Sequence, residues 1–289
     1  MATREDIVKA SIHGTLTFFF LSVWGACAKA AAVDISSLAI NFIAFLTALV
    51  LLIPLLIVKK VSLKTKRLPL LLSRGLSGII SALLYTLALK YIPLMNATTL
   101  LNTAPLFIPL ICWLFLQGHI QKTTWWALVL GFIGVVIVVK PNALIFEQVQ
   151  NFIGLGSGIV FAIASLCMRK AVETEPPLRI MFYFFLIGTL CTTPVLFFEK
   201  ESFLSTGVFY AILAGVLLIV MQLFFAKAYQ YGDAAKVGVF QYTSVLFAGL
   251  LDWLIWDTIP PLSDIGGVAC VAIAGTLIIL TRKKHHHAS

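Results

Sequence analysis

Apolar runs of about 20 residues, separated by short polar links, fill almost the whole chain. They cover residues 10–33, 36–58, 70–90, 94–117, 123–140, 152–171, 177–198, 204–228, 234–256 and 263–281. None alternates with period two, as a half-buried strand would. About 20 residues at 1.5 Å per residue match a hydrocarbon layer of about 30 Å. Inside that layer each backbone N–H and C=O needs a partner within the protein, which a helix supplies by itself. The pattern therefore predicts an all-α integral membrane protein with ten transmembrane helices. Pro93, Pro141, Pro176, Pro177, Pro260 and Pro261 fall at run ends, where a missing N–H does least harm.

Composition strengthens this picture. The 289 residues are 60% hydrophobic and 11% charged, with a mean hydropathy of +1.01. A soluble domain covers itself with about a quarter charged residues. The net charge of +9 is spread over the links and gathers on no single soluble face, so nucleic acid is not an expected partner. The expected surroundings are a lipid bilayer.

The cations also set a topology. With the N-terminus in the cytoplasm, only Lys29, Lys90, Lys140 and Lys200 of the 21 lysines and arginines fall on the outer side. Positive residues collect on the cytoplasmic side, so both termini are expected there. Arg4, Glu5, Asp6 and Lys9 precede the first run with no small-residue cleavage site, unlike a secretory leader. Cys27, Cys112, Cys167, Cys191 and Cys270 lie in apolar runs without a CxxC pair, so they are expected as small core residues. No metal site, cofactor or catalytic group is expected.

An internal repeat divides the chain. Sliding it by 140 residues sets Cys27 on Cys167, Ile40 on Ile180, Phe42 on Phe182, Pro54 on Pro194, Ala88 on Ala228, Tyr91 on Tyr231 and Trp113 on Trp253. One residue later, Gly134 meets Gly275. The halves, 1–145 and 146–289, would each hold five helices. Five is odd, so the second half enters the membrane inverted. Inverted repeats commonly build alternating access around a central cavity.

Residues 74–141 contain ALKYIPLMNAT at 88–98, TAPLF at 103–107 and GFIGVVIVV at 131–139. Residues 226–257 and 265–280 read as a second copy. Together these resemble the EamA-type repeat of the drug/metabolite transporter superfamily. The resemblance implies ten helices, two inverted repeats, a central cavity and transport of small organic metabolites. Members usually carry a glutamate after the fourth and ninth helices. Here Gly118-His119 and Trp256-Asp257 occupy those places, so the first acid is lost and the second is shortened.

Polar groups inside a bilayer are energetically expensive, so their positions are informative. Thr98, Asn102, Pro105 and Pro109 share one face of the fourth run. Gly238, Tyr242, Val245, Gly249, Asp252 and Trp256 share one face of the ninth. Asn102 and Tyr242 are equivalent at the 140-residue offset. Asn102, Tyr242, Gln222, Tyr85, Trp24 and Asn41 are the candidate substrate-binding residues. Asp252, a carboxylate within a run, is the candidate for proton or cation coupling. Arg74, near the cytoplasmic end of the third run, is expected at the lipid headgroups, and Trp113 and Trp253 in interfacial belts. Gly154 and Gly158 form a GxxxG that permits close helix contact.

The function that fits is a secondary active or facilitative transporter of small metabolites such as amino acids or nucleoside-like cofactors. A monomer suffices, though a homo-oligomer is compatible. A lipid or amphiphile flippase is the alternative. An intramembrane enzyme would need two facing carboxylates or an HExxH pair, and the sequence holds neither; no Walker motif suggests direct ATP use. A bacterial inner membrane is the expected location.

Overall fold

The computed structural model describes residues 4–116, 122–139, 149–194, 205–231 and 240–283. Within them the chain forms eleven helices: α1 Arg4–Ala31, α2 Ser37–Val58, α3 Leu68–Leu89, α4 Leu94–Leu101, α5 Ala104–Leu116, α6 Lys122–Val139, α7 Val149–Ala171, α8 Pro177–Thr192, α9 Thr206–Tyr231, α10 Thr243–Trp256 and α11 Leu262–Lys283. Six stretches are long and apolar enough to cross a membrane: Val8–Ala31, Ser37–Val58, Leu68–Leu89, Leu94–Leu114, Val149–Ala171 and Thr206–Tyr231. The shorter apolar helices are Trp125–Val138, Pro177–Thr192, Thr243–Trp256 and Leu262–Leu277.

The fourth run is not one helix. It stops at Leu101, turns through Asn102 and Thr103, and resumes at Ala104. Pro105 has no N–H, so it cannot donate to the Leu101 carbonyl as a continuous helix would require. In the ninth run a turn at Gln241 and Tyr242 separates helical Phe240 from α10. Across the two turns it is Gln241 whose carbonyl Asn102 meets.

Two apolar cores flank these turns. The larger joins α1, α2, α3, α8 and α9 through residues such as Phe18, Ile40, Phe45, Ile79 and Phe185. The smaller joins α5, α6 and α11 through Leu106, Leu128, Val135, Val138 and Val271. Helix α4 serves both: Leu94, Ala97 and Leu101 enter the larger core, Met95 and Leu100 the smaller. Helix α10 does likewise, through Ala248 and Val245. The polar positions of both helices therefore lie along the boundary between the cores. The expected role of the cysteines as core residues holds for Cys27; Cys191 is exposed and the other three are partly exposed.

Glycines set the closest helix approaches. A Cβ on Gly158 of α7 would overlap the Leu100 carbonyl, so this glycine lets α7 close onto the α4 turn. Ser81 of α3 donates to the Ser157 carbonyl of α7 at 2.9 Å beside it. Gly134 of α6 and Gly267 of α11 face each other, each lacking the atom that would strike the other's carbonyl.

At one end, links hold the bundle together. Arg179 donates to Glu175 at 2.5 Å and to the Ser62 carbonyl at 2.6 Å, and Thr65 donates to Glu175 at 2.5 Å. Desolvation pulls the Glu175 carboxyl upward, but the Thr65 and Arg179 hydrogen bonds and the Arg179 and Arg67 charges outweigh it, holding the group below its ordinary value.

Gly134→Leu is expected to lower stability by about 1–3 kcal/mol in a detergent thermal melt, because the added side chain meets backbone that cannot rotate away. Gly266→Leu, where nothing lies within 4 Å, is the control expected to leave the melt unchanged.

Candidate functional site

Helices α1, α4 and α10 run side by side. Ser22 and Lys29 of α1 pair with Ser244 and Asp252 of α10, so those two are parallel. Met95 and Asn102 of α4 meet Asp252 and Ser244, so α4 is antiparallel to α10. Seven residues separate the two levels on α1 and on α4, a rise of about 10 Å. Between the levels Tyr85 of α3 enters the seam.

At the first level Lys29 Nζ lies 2.9 Å from Asp252 Oδ1, and the Met95 backbone N–H donates to Oδ2 at 2.7 Å. Asp252 is fully buried. Its carboxylate satisfies one of the N–H groups that the start of α4 leaves without an intrahelical partner. The Lys29 ammonium also stands 4.7 Å from the centre of the Trp256 ring. A buried charge needs such pairing, and here three helices supply it.

In the middle the Tyr85 hydroxyl and Thr98 Oγ1 are 2.9 Å apart. Trp24 stacks on the Tyr85 ring with centroids 5.6 Å apart and planes 15° apart. Gly25 is needed here, since a Cβ would crowd the Tyr85 hydroxyl. The buried Trp24 Nε1 has no hydrogen-bond partner.

At the other level the two interrupted helices touch. Asn102 Nδ2 donates to Ser244 Oγ at 2.6 Å and to the Gln241 carbonyl at 3.2 Å. Ser244 Oγ donates to the same Gln241 carbonyl at 2.6 Å, and Ser22 Oγ donates to the Ser244 carbonyl at 2.8 Å. Asn102 Oδ1 and Gln241 Nε2 are both buried and both unpartnered. They leave an acceptor on one turn and a donor on the other.

The seam thus gathers Trp24, Tyr85, Asn102 and Asp252 from the expected set. Tyr242 borders it, but its hydroxyl turns to α11, into space that exists because residue 275 is Gly. That hydroxyl has no partner. Asn41 lies apart, donating to the Ser37 carbonyl and to Thr86 at 2.8 and 2.7 Å. Gln222 is buried on α9, the helix that packs against α1 and α2. Trp113 and Trp253 are exposed on the bundle surface, 46% and 53% respectively. Asp257 ends α10 in a left-handed conformation, φ 51°, with its N–H bonded to the Trp253 carbonyl; Gly118-His119 lies outside the described residues. The expectation for Arg74 is overturned. It is 4% exposed and its guanidinium covers the Phe184 ring, so it does not reach headgroups.

Sequence reasoning passed over Lys29, Ser22, Ser244 and Gln241. Ser22 and Lys29 at i and i+7 share a face of α1, which was a visible signal. The partners across the seam had none.

The model of the EamA-like transporter family matches residues 9–140 and again 149–281. The chain belongs to that family. It is a multi-pass integral membrane protein of a transporter family. The pseudopaline exporter CntI of Pseudomonas aeruginosa (strain UCBPP-PA14) is 29% identical over 94% of this chain and 98% of its own. An S-adenosylmethionine uptake transporter of Rickettsia conorii is 25% identical over 97% of both chains. A riboflavin transporter of Vibrio cholerae is 28% identical over 69% of this chain and 67% of its own. A solved crystal structure, 15% identical, superposes with a TM-score of 0.67 over 98% of this chain and 100% of that one, a likeness of fold.

Lys29→Met would strand the Asp252 charge. It is expected to destabilise by about 2–3 kcal/mol, below the range for fully buried pairs because Lys29 keeps some solvent. Adding Asp252→Asn should restore most of the loss in detergent unfolding curves. Additive losses would show that the two groups do not act as a pair.

Proposed function

We propose that the protein is a secondary transporter, active or facilitative, that moves a small organic metabolite by alternating access. The observation carrying this reading is the junction of two helix interruptions in the buried seam. Buried polar groups are nearly always paired. Asn102 Oδ1 and Gln241 Nε2 are not, which leaves an unused acceptor on one turn and an unused donor on the other. A ligand with a complementary donor and acceptor would satisfy both. Trp24 and Tyr85 supply a stacked aromatic wall beside them, and Trp24 Nε1 a further donor.

Five-helix halves at 1–145 and 146–289, in inverted orientation, account for the packing. Exchanging the halves turns the α1–α9 contact into α7–α3, α2–α9 into α8–α3, and α1–α10 into α7 against α4 and α5. Ten crossings with both ends in the cytoplasm require α1 and α10 to be parallel and α4 opposed to them, in keeping with the pairing in the seam. On this topology the Lys29–Asp252 pair is an outer lock, and its rupture is part of outward opening. A proton or cation that takes the place of Lys29 at Asp252 would couple to that step. The seam comes from one chain, so a monomer suffices.

The relatives, named for pseudopaline, S-adenosylmethionine and riboflavin, support an organic metabolite as cargo, and those bacterial relatives support a bacterial inner membrane. A thermal-shift screen of the purified chain against amino acids, nucleosides and vitamins tests the reading. A ligand at 100 times its Kd adds about 2.7 kcal/mol to the folded state. The expected hit loses its effect in Asn102→Ala and is carried across liposomes by the wild type. A hit that ignores Asn102, or that is bound but never carried, would contradict this.

A further inference from the structure

Arg74 carries a positive charge that the fold buries and leaves without a counter-ion. A guanidinium stays protonated at any physiological pH, and burying it unpaired is costly. Arg74 is 4% exposed. Among the described residues the ion pairs are Lys29 with Asp252 and Arg179 with Glu175, and none involves Arg74. Its Nε is buried with no hydrogen-bond partner.

The surroundings form a built slot. The guanidinium carbon lies 4.6 Å from the centre of the Phe184 ring of α8, a cation–π contact. One turn along α3, position 78 is Gly, and a Cβ there would overlap Arg74 Nη1 and stand 2.8 Å from Phe184. The missing side chain lets the arginine fold back along its own helix onto the ring. Helices α3 and α8 thus hold a planar cation with a free donor. A topology charge needs none of this and would extend to the headgroups.

We propose that Arg74 is an anion-recognition subsite that receives a carboxylate of the transported metabolite. A guanidinium matches a carboxylate through two parallel N–H···O bonds, and the aromatic face holds its plane. Arg74 stands eleven residues before Tyr85 on α3, roughly 16 Å along the helix axis. The cargo would therefore meet Arg74 at a stage of transport distinct from the Asn102–Gln241 junction. The charge and the slot rest on the geometry alone. Only the identification of the anion with the cargo rests on the transport reading.

The test uses the full chain in neutral detergent with succinate as probe, and with succinamide, inorganic phosphate and phosphatidylglycerol as comparisons at matched ionic strength. Succinate is expected to raise the melting temperature where succinamide does not. Arg74→Gln should weaken succinate binding about tenfold or more, as loss of a charged hydrogen bond implies. Arg74→Lys should retain part of it. Gly78→Ala, which keeps the charge but fills the slot, should also reduce it. No stabilisation by succinate, stabilisation that survives Arg74→Gln, or a response confined to phosphate or to phosphatidylglycerol would each overturn the proposal. Transport in liposomes separates the two readings. Wild-type transport unaffected by Arg74→Gln sinks the subsite and leaves the transporter. Arg74-dependent succinate binding with no transport of any metabolite sinks the transporter and leaves the anion site.

Discussion

A helix interrupted inside a bilayer exposes backbone groups that lipid cannot satisfy. Two such interruptions, at Asn102–Thr103 and Gln241–Tyr242, lie against each other here, and much of the buried polar structure serves that contact. The Gln241 carbonyl takes hydrogen bonds from Asn102 and Ser244, and Thr103 Oγ1 donates to the Leu100 carbonyl at 2.6 Å. The start of α4 is closed by Asp252, which Lys29 neutralises. Each solution crosses between helices far apart in sequence.

This arrangement suits a protein that must change shape without coming apart. The larger core binds α1, α2, α3, α8 and α9, and the smaller binds α5, α6 and α11. Well-packed cores move as units. Between them the seam adds one ion pair, one aromatic stack and a cluster of hydrogen bonds to the apolar packing of α4 and α10. Polar contacts can be exchanged for contacts with water or ligand at modest net change in free energy, whereas opening a packed core cannot. The glycines at 134, 158 and 267 keep the cores close to their neighbours, and Gly25 leaves room for the Tyr85 hydroxyl within the seam.

Much of this was legible in the sequence. Apolar run length located the helices, and the expense of polar groups in lipid drew attention to Trp24, Tyr85, Asn102 and Asp252. Pro105 announced a disturbance in the fourth run. The turn at Gln241 has no proline beside it, so nothing local marked it. Lys29 read as a topology charge because a sequence shows where a lysine stands along a helix but not that a carboxylate 223 residues away meets it. Arg74 was misplaced for the converse reason: Gly78 stands one turn along its own helix, but Phe184, whose ring it covers, lies on another.

Alternating access requires the seam between α1 and α10 to open and close. Spin labels at Val33→Cys and Ile259→Cys, just beyond those helices and 81% and 75% exposed, in a background free of native cysteine, report it directly through their distance distribution. The account predicts two distance populations whose ratio changes with bound metabolite, the longer one enriched by Asp252→Asn. A single distance, unmoved by ligand and by that substitution, would contradict it.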